Sequence, residues 1–246
     1  MSQNLNLNRA HAVKDDEFYT PFKFIEAELD RYDFGGRPIV CPCDGENSGF
    51  VKYFRSRGIE PTFAAGDYES VLYADAPKDA IVVTNPPFSL FRRFVCAVLD
   101  RGLDLLVVGP NIAAKAPDIF PYIKDGRLRG GYTCDRSISF ERPGGGFKNA
   151  PVSWYTSLPV DRRSFTPSRS VADLEAAGKF TKIDGTDTVF VDKVVNFPAD
   201  YFGEVAIPAN AFYRFDGGEY EFTGLAPSPR VGGKTKFGRI IVRRKC

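Results

Sequence analysis

The residues Asn85-Pro86-Pro87-Phe88 follow directly on the apolar run Ala80-Ile81-Val82-Val83-Thr84. Proline fixes φ and pushes its predecessor away from the helical region. The chain leaving the run is therefore expected to be extended, with the Asn85 amide and the Pro86 carbonyl directed into one space. Two oxygens so placed can accept both hydrogens of an exocyclic amino group. That draws the nitrogen lone pair out of conjugation with its ring and frees it to attack an electrophilic methyl carbon. Phe88 offers a face on which a planar base can stack, as an enzyme that extrudes a base from a duplex requires. The other reading, a proline-rich turn that merely ends a strand, loses ground because a helical pattern follows.

Those four residues need a frame. Phe22, Phe24, Ile25, Leu29 and Tyr32 recur at helical spacing, and Gly35-Gly36 ends that element. Pro38–Cys41 reads as a short buried strand, 48–57 as a helix stopped by Gly58, and 59–64 as a second strand. Residues 79–84 form a third apolar run, 90–100 a helix and 103–108 a further strand. Short apolar strands alternating with helices of about ten residues predict βαβ units, a mostly parallel sheet covered on both faces, and ligands beyond the strands' carboxyl ends. Beyond about residue 126 Gly, Pro and aromatic residues rise. Short β-like runs appear at 131–133, 137–140, 152–157, 188–191, 219–222 and 238–242. The fold class expected is thus α/β, a Rossmann-like doubly wound sheet with a C-terminal region rich in strands and loops.

Composition removes several chemistries. The 246 residues are 43% hydrophobic and 26% charged, ordinary for a globular chain, and no run approaches the ~18 apolar residues of a membrane span. The single histidine, His11, speaks against a Ser-His-Asp triad and an HExxH metal site. Five cysteines (41, 43, 96, 134 and 246) contain no CxxC pair, so neither a disulfide framework nor a zinc site is expected, and metal ligands are set at none. Residues 1–16 form a polar leader without an apolar core, which is no secretory signal and points to the cytoplasm. Net charge is only +2, but Leu225–Cys246 holds seven basic residues and no acid, leaving 26 basic against 31 acidic elsewhere. Such a basic end suits either contact with a polyanion or a solvated tail.

Asn85-Pro86-Pro87-Phe88-Ser89-Leu90-Phe91 resembles the catalytic segment of the EcoRI-type adenine-specific DNA methyltransferases. Glu17-Phe18-Tyr19-Thr20-Pro21 resembles that family's N-terminal cofactor motif, and Cys41-Pro42-Cys43-Asp44 and Gly66-Asp67-Tyr68 resemble the next two. Residues 111–131, Trp154-Tyr155-Thr156, 203–212 and 239–244 resemble later blocks, so the likeness runs from about residue 17 to 245. It implies a single methyltransferase domain over 17–246, with cofactor binding and catalysis in 17–125 and target recognition in 126–246.

The resemblance further implies S-adenosylmethionine as methyl donor, adenine N6 as acceptor, double-stranded DNA as partner, and no metal. A companion restriction endonuclease acting at the same site is a further implied partner, and no obligate protein partner is evident. On this view Asn85, Pro86, Pro87 and Phe88 are catalytic. Tyr19, Thr20 and Pro21 would reach the donor's carboxylate, or else cap and staple the helix that follows. Asp44, beside Cys43, would hold the donor's ammonium, or else cap a turn. Asp67 and Tyr68 would take its adenine, or else form a surface turn. Gly45 and Gly49 would permit close backbone approach. The acid that usually grips the donor ribose has no clear counterpart, Glu60 being the nearest. Cys41 and Cys43 read as small buried residues beside the cofactor. Arg127, Arg129, Arg136, Arg142, Lys148, Lys234 and Lys236 are the expected phosphate contacts. Two other readings stay open: methyl transfer to RNA adenine or protein glutamine, and a silent DNA-binding relative.

Overall fold

The computed structural model describes residues 18–63, 76–142, 145–216 and 218–245. The leader, Gly66, Asp67, Tyr68, Pro143 and Gly144 lie outside the described residues.

The first sheet is built from β1 (Ile39–Cys41), β2 (Thr62–Phe63), β3 (Ile81–Thr84), β4 (Asp104–Pro110), β5 (Arg129–Gly130), β6 (Arg136–Glu141) and β7 (Phe147–Thr156). Its order is β2-β1-β3-β4-β7-β5, with β6 also paired to β7. The pairs β1–β2, β1–β3 and β3–β4 are parallel, whereas β7 is antiparallel to β4, β5 and β6. The expected mostly parallel sheet is therefore corrected to a mixed one. The β6–β7 hairpin accounts for one of these pairs, since a connection too short for a helix can only return antiparallel; the β4–β7 pair joins residues about fifty positions apart, such as Leu106 and Thr156.

Helices α1 (Phe22–Leu29) and α2 (Gly49–Ser56) cover one face of the parallel half, and α3 (Phe91–Asp100) and α4 (Phe120–Lys124) the other. Strand residues divide alternately between the faces. Ile39, Cys41, Ile81, Val83, Leu106 and Val108 pack with Ile25, Leu29, Phe50 and Phe54, while Val40, Val82, Leu105 and Val107 pack with Phe94, Val98 and Ile123. Burial on both sides explains why these strands read as unbroken apolar runs rather than alternating ones. Helix α2 begins where the Ser48 hydroxyl accepts from Val51 N–H at 3.1 Å and ends before Gly58, whose φ is +73°.

A second sheet of five strands completes the chain: β8 (Thr181–Lys182), β9 (Val189–Phe190), β10 (Val205–Pro208), β11 (Tyr220–Ala226) and β14 (Arg239–Arg244), ordered β11-β14-β10-β9-β8. A separate hairpin pairs β12 (Arg230–Val231) with β13 (Lys234–Thr235), and α5 (Val171–Ala176) precedes β8. Val189, Val205, Ile207, Ile240 and Val242 join the same apolar cluster as the α3 face of the first sheet. The second sheet is fixed to the first by stacking of Phe212 on Tyr155 at 5.4 Å between ring centres. Residues 131–133, expected as strand, instead form a loop after β5. Its conformation is set by the fully buried Glu28 carboxylate, which accepts from the N–H groups of Tyr132 and Thr133 and the hydroxyls of Thr133 and Tyr32 at 2.6–2.8 Å.

Candidate active site

Strand order reverses between β1 and β3: the chain runs outward from β1 to β2 and returns on the other side as β3. Such a reversal opens a crevice at the carboxyl ends of the two strands. Asp44 follows β1 and Asn85 follows β3, so both stand at that edge.

A buried hydrogen bond ties the two strand ends together. The hydroxyl of Thr84, the last residue of β3, donates to the Asp44 carboxylate. Asp44 is only 8% exposed, and burial raises its pKa to about 7 against the opposing effect of the Thr84 and Ser48 hydroxyls. A carboxylate desolvated to that degree, with hydroxyl partners and no cation among the described residues, is suited to receive a positive group. Gly45 beside it faces open space, so a ligand can approach the backbone there. Gly49 does something else: a Cβ at that position would press on Ile25 and the Thr20 carbonyl, so its lack of side chain lets α2 close onto α1.

Asn85 is held by its amide nitrogen, which donates to the Phe18 carbonyl at 2.9 Å. That bond fixes which way the amide faces. Its oxygen is buried and accepts no hydrogen bond from the described residues. The Thr20 hydroxyl, also buried, is likewise unpartnered. A buried acceptor left unmade costs about 1–3 kcal/mol, so an orphaned amide oxygen at a strand end points to a ligand that satisfies it. Pro86 is buried, and Pro87 accepts from Leu90 N–H at 2.9 Å, which turns the chain into α3. The helix start is pinned by Phe91, whose ring lies where a Cβ on Gly109 of β4 would stand.

Phe88 is half-buried in an aromatic group with Phe18 (5.4 Å) and Phe140 of β6 (5.9 Å, edge-on). Residues 18–20 lie alongside the end of β6: Tyr19 and Glu141 exchange backbone hydrogen bonds at 2.9 and 3.3 Å. Phe18, Phe140 and Lys148 share the inward face of this three-chain strip, with the Lys148 ammonium 4.7 Å from the Phe18 ring centre. Tyr19, Glu141 and Phe147 share the outward face, and Tyr19 is 56% exposed. The structure thus gathers Thr20, Asp44, Asn85, Pro86 and Phe88 at one edge and turns the Tyr19 ring away from them. Pro21 sits at the N-cap of α1, its carbonyl accepting from Phe24 N–H. Cys43 is half-buried beside Asp44, and burial pushes both its thiol and that of Cys41 upward, so neither is a thiolate. Glu60, the nearest acid for a ribose, is exposed and ion-paired with Arg55 at 2.7 Å. Among the described residues no group of His, Cys, Asp and Glu could hold a metal.

The basic residues divide. Arg136 pairs with Val152, which pairs with Pro110, so it lies at the same edge as Asn85. Beyond that row the hairpin of β6 and β7 projects about 17 Å past the sheet, five residues at the usual strand rise; Lys148 is on it, and Arg142 at its turn. Arg127 lies elsewhere. Its guanidinium donates to the Leu99 carbonyl at 2.7 Å near the end of α3, at the opposite edge of the parallel strands, and covers the Tyr122 ring. Arg129, on β5 opposite Thr156, donates to Gly126. Lys234 and Lys236 are exposed on and beside the β12–β13 hairpin.

Sequence reasoning passed over a network at the end of β4 that is buried at Asn111 and Ser153 and exposed at Asp135. Asn111 donates to Asp135 (2.9 Å) and accepts from Ser153 (2.8 Å), and Asn210 from the second half donates to the same Asp135 oxygen (3.1 Å). Asp135 has φ +54°, the one non-glycine residue with positive φ among the described residues. The signal available was an Asn just past an apolar strand, the same position that Asn85 holds after β3.

The model of the family described as adenine-specific methyltransferase EcoRI matches residues 6–60 and 62–151, more than half of the chain. The chain belongs to the EcoRI adenine-specific methyltransferase family. The type II methyltransferase M.MpnI of Mycoplasma pneumoniae is 27% identical, the alignment covering 97% of this chain and 98% of that protein. M.MgeORF184P of Mycoplasma genitalium is 26% identical over 98% and 99%, and M.EcoRI of Escherichia coli 24% identical over 98% and 97%. Within the EcoRI-family chain, the matched span contains the Asp44–Thr84 tie, the Asn85 segment, β6 and the first half of β7. No helix among the described residues is long and apolar enough to cross a membrane.

Proposed function

We propose that this methyltransferase transfers a methyl group from S-adenosylmethionine to the exocyclic N6 of an adenine extruded from a specific double-stranded DNA sequence. The parallel half acts as a doubly wound, Rossmann-like cofactor domain, and the product is a modified site of the restriction-protection kind. The observation that carries this reading is the orphaned Asn85 amide oxygen, held in place by the bond from its own nitrogen to Phe18.

The residues present suit the donor. Among the described residues Asp44 is a buried carboxylate without a cation, and the Thr20 hydroxyl is buried without a partner. Asp44 would hold the donor's ammonium and Thr20 its carboxylate, with Cys43 and Gly45 forming the adjoining wall. When bound, the donor supplies a methyl already activated on a sulfonium, so neither a metal nor a protein nucleophile is needed. The chain's own task is to position the acceptor. The Asn85 oxygen accepts a hydrogen of the adenine amine, Phe88 supports the ring, and Phe18 keeps both aligned, so that orientation lowers the barrier. The proton lost from N6 goes to solvent.

The test is incorporation of labelled methyl from S-adenosylmethionine into random-sequence duplex DNA, followed by mapping of N6-methyladenine. Methylation at adenine in one sequence context is expected. Transfer to RNA or protein in preference, or no transfer with donor bound, would overturn the reading. Asn85→Ala should lower the rate on the order of a hundredfold or more while leaving donor affinity within a few-fold by calorimetry.

A further inference from the structure

Phe237 is 85% exposed, yet its backbone is fixed on every side. Lys236 N–H donates to the Pro229 carbonyl at 2.7 Å, and the Phe237 carbonyl accepts from the Arg239 guanidinium at 2.9 Å. Arg239 is itself held, its Nε on the Val191 carbonyl and its guanidinium over the Phe190 ring. Gly238 is buried, with the Pro227 carbonyl and the Lys115 side chain where a Cβ would stand. Behind this, the β12–β13 turn is clamped: the two oxygens of Asp184 accept from the N–H groups of Gly232 and Gly233, each at 2.8 Å. An apolar ring this exposed on a support this rigid gains nothing within the chain itself.

Its surroundings say what it is held for. Lys115 ends the 3-10 turn Asn111–Lys115 that continues β4, so the Gly238–Lys115 contact places the Phe237 support beside the strand neighbouring Asn85's. Ile112 on that same turn is 67% exposed, a second apolar side chain at this edge. The segment Arg230–Gly238 carries three cations and no acid, and the Lys234 and Lys236 ammonium groups are exposed. Clustered lysines answer to phosphates, and an apolar side chain among them answers to the bases those phosphates carry. The stacking partner is thus nucleic acid rather than a protein surface.

From this we infer that Phe237 is a wedge: it enters the base stack next to the target adenine and holds the duplex open while that base occupies the Asn85 pocket. The inference rests on the proposed function and adds the element that stabilises the extruded state.

The experiment uses the full chain and a duplex carrying the mapped site with 2-aminopurine in place of the target adenine. Wild type should raise the probe's fluorescence on binding. Phe237→Ala should lose most of that rise and weaken DNA binding about tenfold or more. Its donor affinity, melting temperature and salt slope should stay unchanged, because a phenyl ring releases no counterions. Phe237→Trp should restore the rise, and a duplex lacking the base opposite the target should restore methylation by Phe237→Ala. If Phe237→Ala keeps wild-type fluorescence and DNA affinity within twofold, the wedge assignment is overturned. If wild type itself methylates no DNA, it is the underlying function that fails.

Discussion

The two ends of the parallel strands make an instructive pair. At the carboxyl edge Asp44 is desolvated beside the Thr84 and Ser48 hydroxyls, and the Asn85 oxygen and Thr20 hydroxyl have no partner among the described residues. At the amino edge Arg37 meets Asp104 at 2.7 Å, the Ser157 hydroxyl donates to Asp104, and Arg127 caps the Leu99 carbonyl. One edge keeps unspent hydrogen-bonding capacity and the other spends it on closing the fold. Parallel strands aim every helix connection the same way, so the two edges of one sheet can be built for different ends.

If that contrast is right, substitutions at the two edges should fail differently. The largest effect belongs to Asn85→Ala, with methylation down on the order of a hundredfold and the melting temperature nearly unmoved. Asp104→Ala, at the amino edge, should do the reverse. With the Arg37 guanidinium and the Ser157 hydroxyl left without their acceptor, it should cost about 1–3 kcal/mol, read as a lower midpoint in urea unfolding.

Asp44 sharpens the comparison through pH. Its pKa is raised to about 7, so the carboxylate is protonated at lower pH and cannot receive an ammonium group. Donor affinity by calorimetry should therefore rise with pH through about 7 and level off above it. Stability should move the opposite way. A carboxyl with a raised folded-state pKa contributes stability at low pH that is lost as pH rises through about 7. Asp44→Asn should consequently melt no lower than wild type above that pH, yet fail to bind donor.

Smaller effects are expected from the basic residues. Replacing Lys234 and Lys236 by alanine together should reduce the slope of log affinity against log salt by about two, if each meets one phosphate. Arg127→Ala should leave that slope alone and cost a little stability, since its guanidinium serves Leu99 and Tyr122 at the far edge. A slope changed by Arg127 and unmoved by the two lysines would reverse the division of the surface.

The strands that carry Asp44 and Asn85 were legible as strings of apolar residues. A strand buried on both faces has no polar position to break the run, and the prolines after Thr84 end it unambiguously. The helices over 22–29, 49–56 and 91–100 were legible too, through periodicity and through Ser48 and Gly58 at the ends of one of them. The sheet's second half was not. Whether β7 returns antiparallel beside β4 depends on pairing between residues about fifty positions apart, such as Leu106 and Thr156. No local pattern records that.

Residue types and order alone determined the candidate chemistry: an amide and a ring fixed by two prolines at a strand end, and a chain with a single histidine to offer as a base. Only the tertiary structure decided which groups were left unsatisfied. Asn85's nitrogen is claimed by Phe18, 67 positions earlier, Asp44 by Thr84, 40 positions later, and Tyr19 is turned outward by its pairing with Glu141. Hydrogen bonds of that reach follow from chain packing, because burial leaves each polar group only the partners that the fold brings to it.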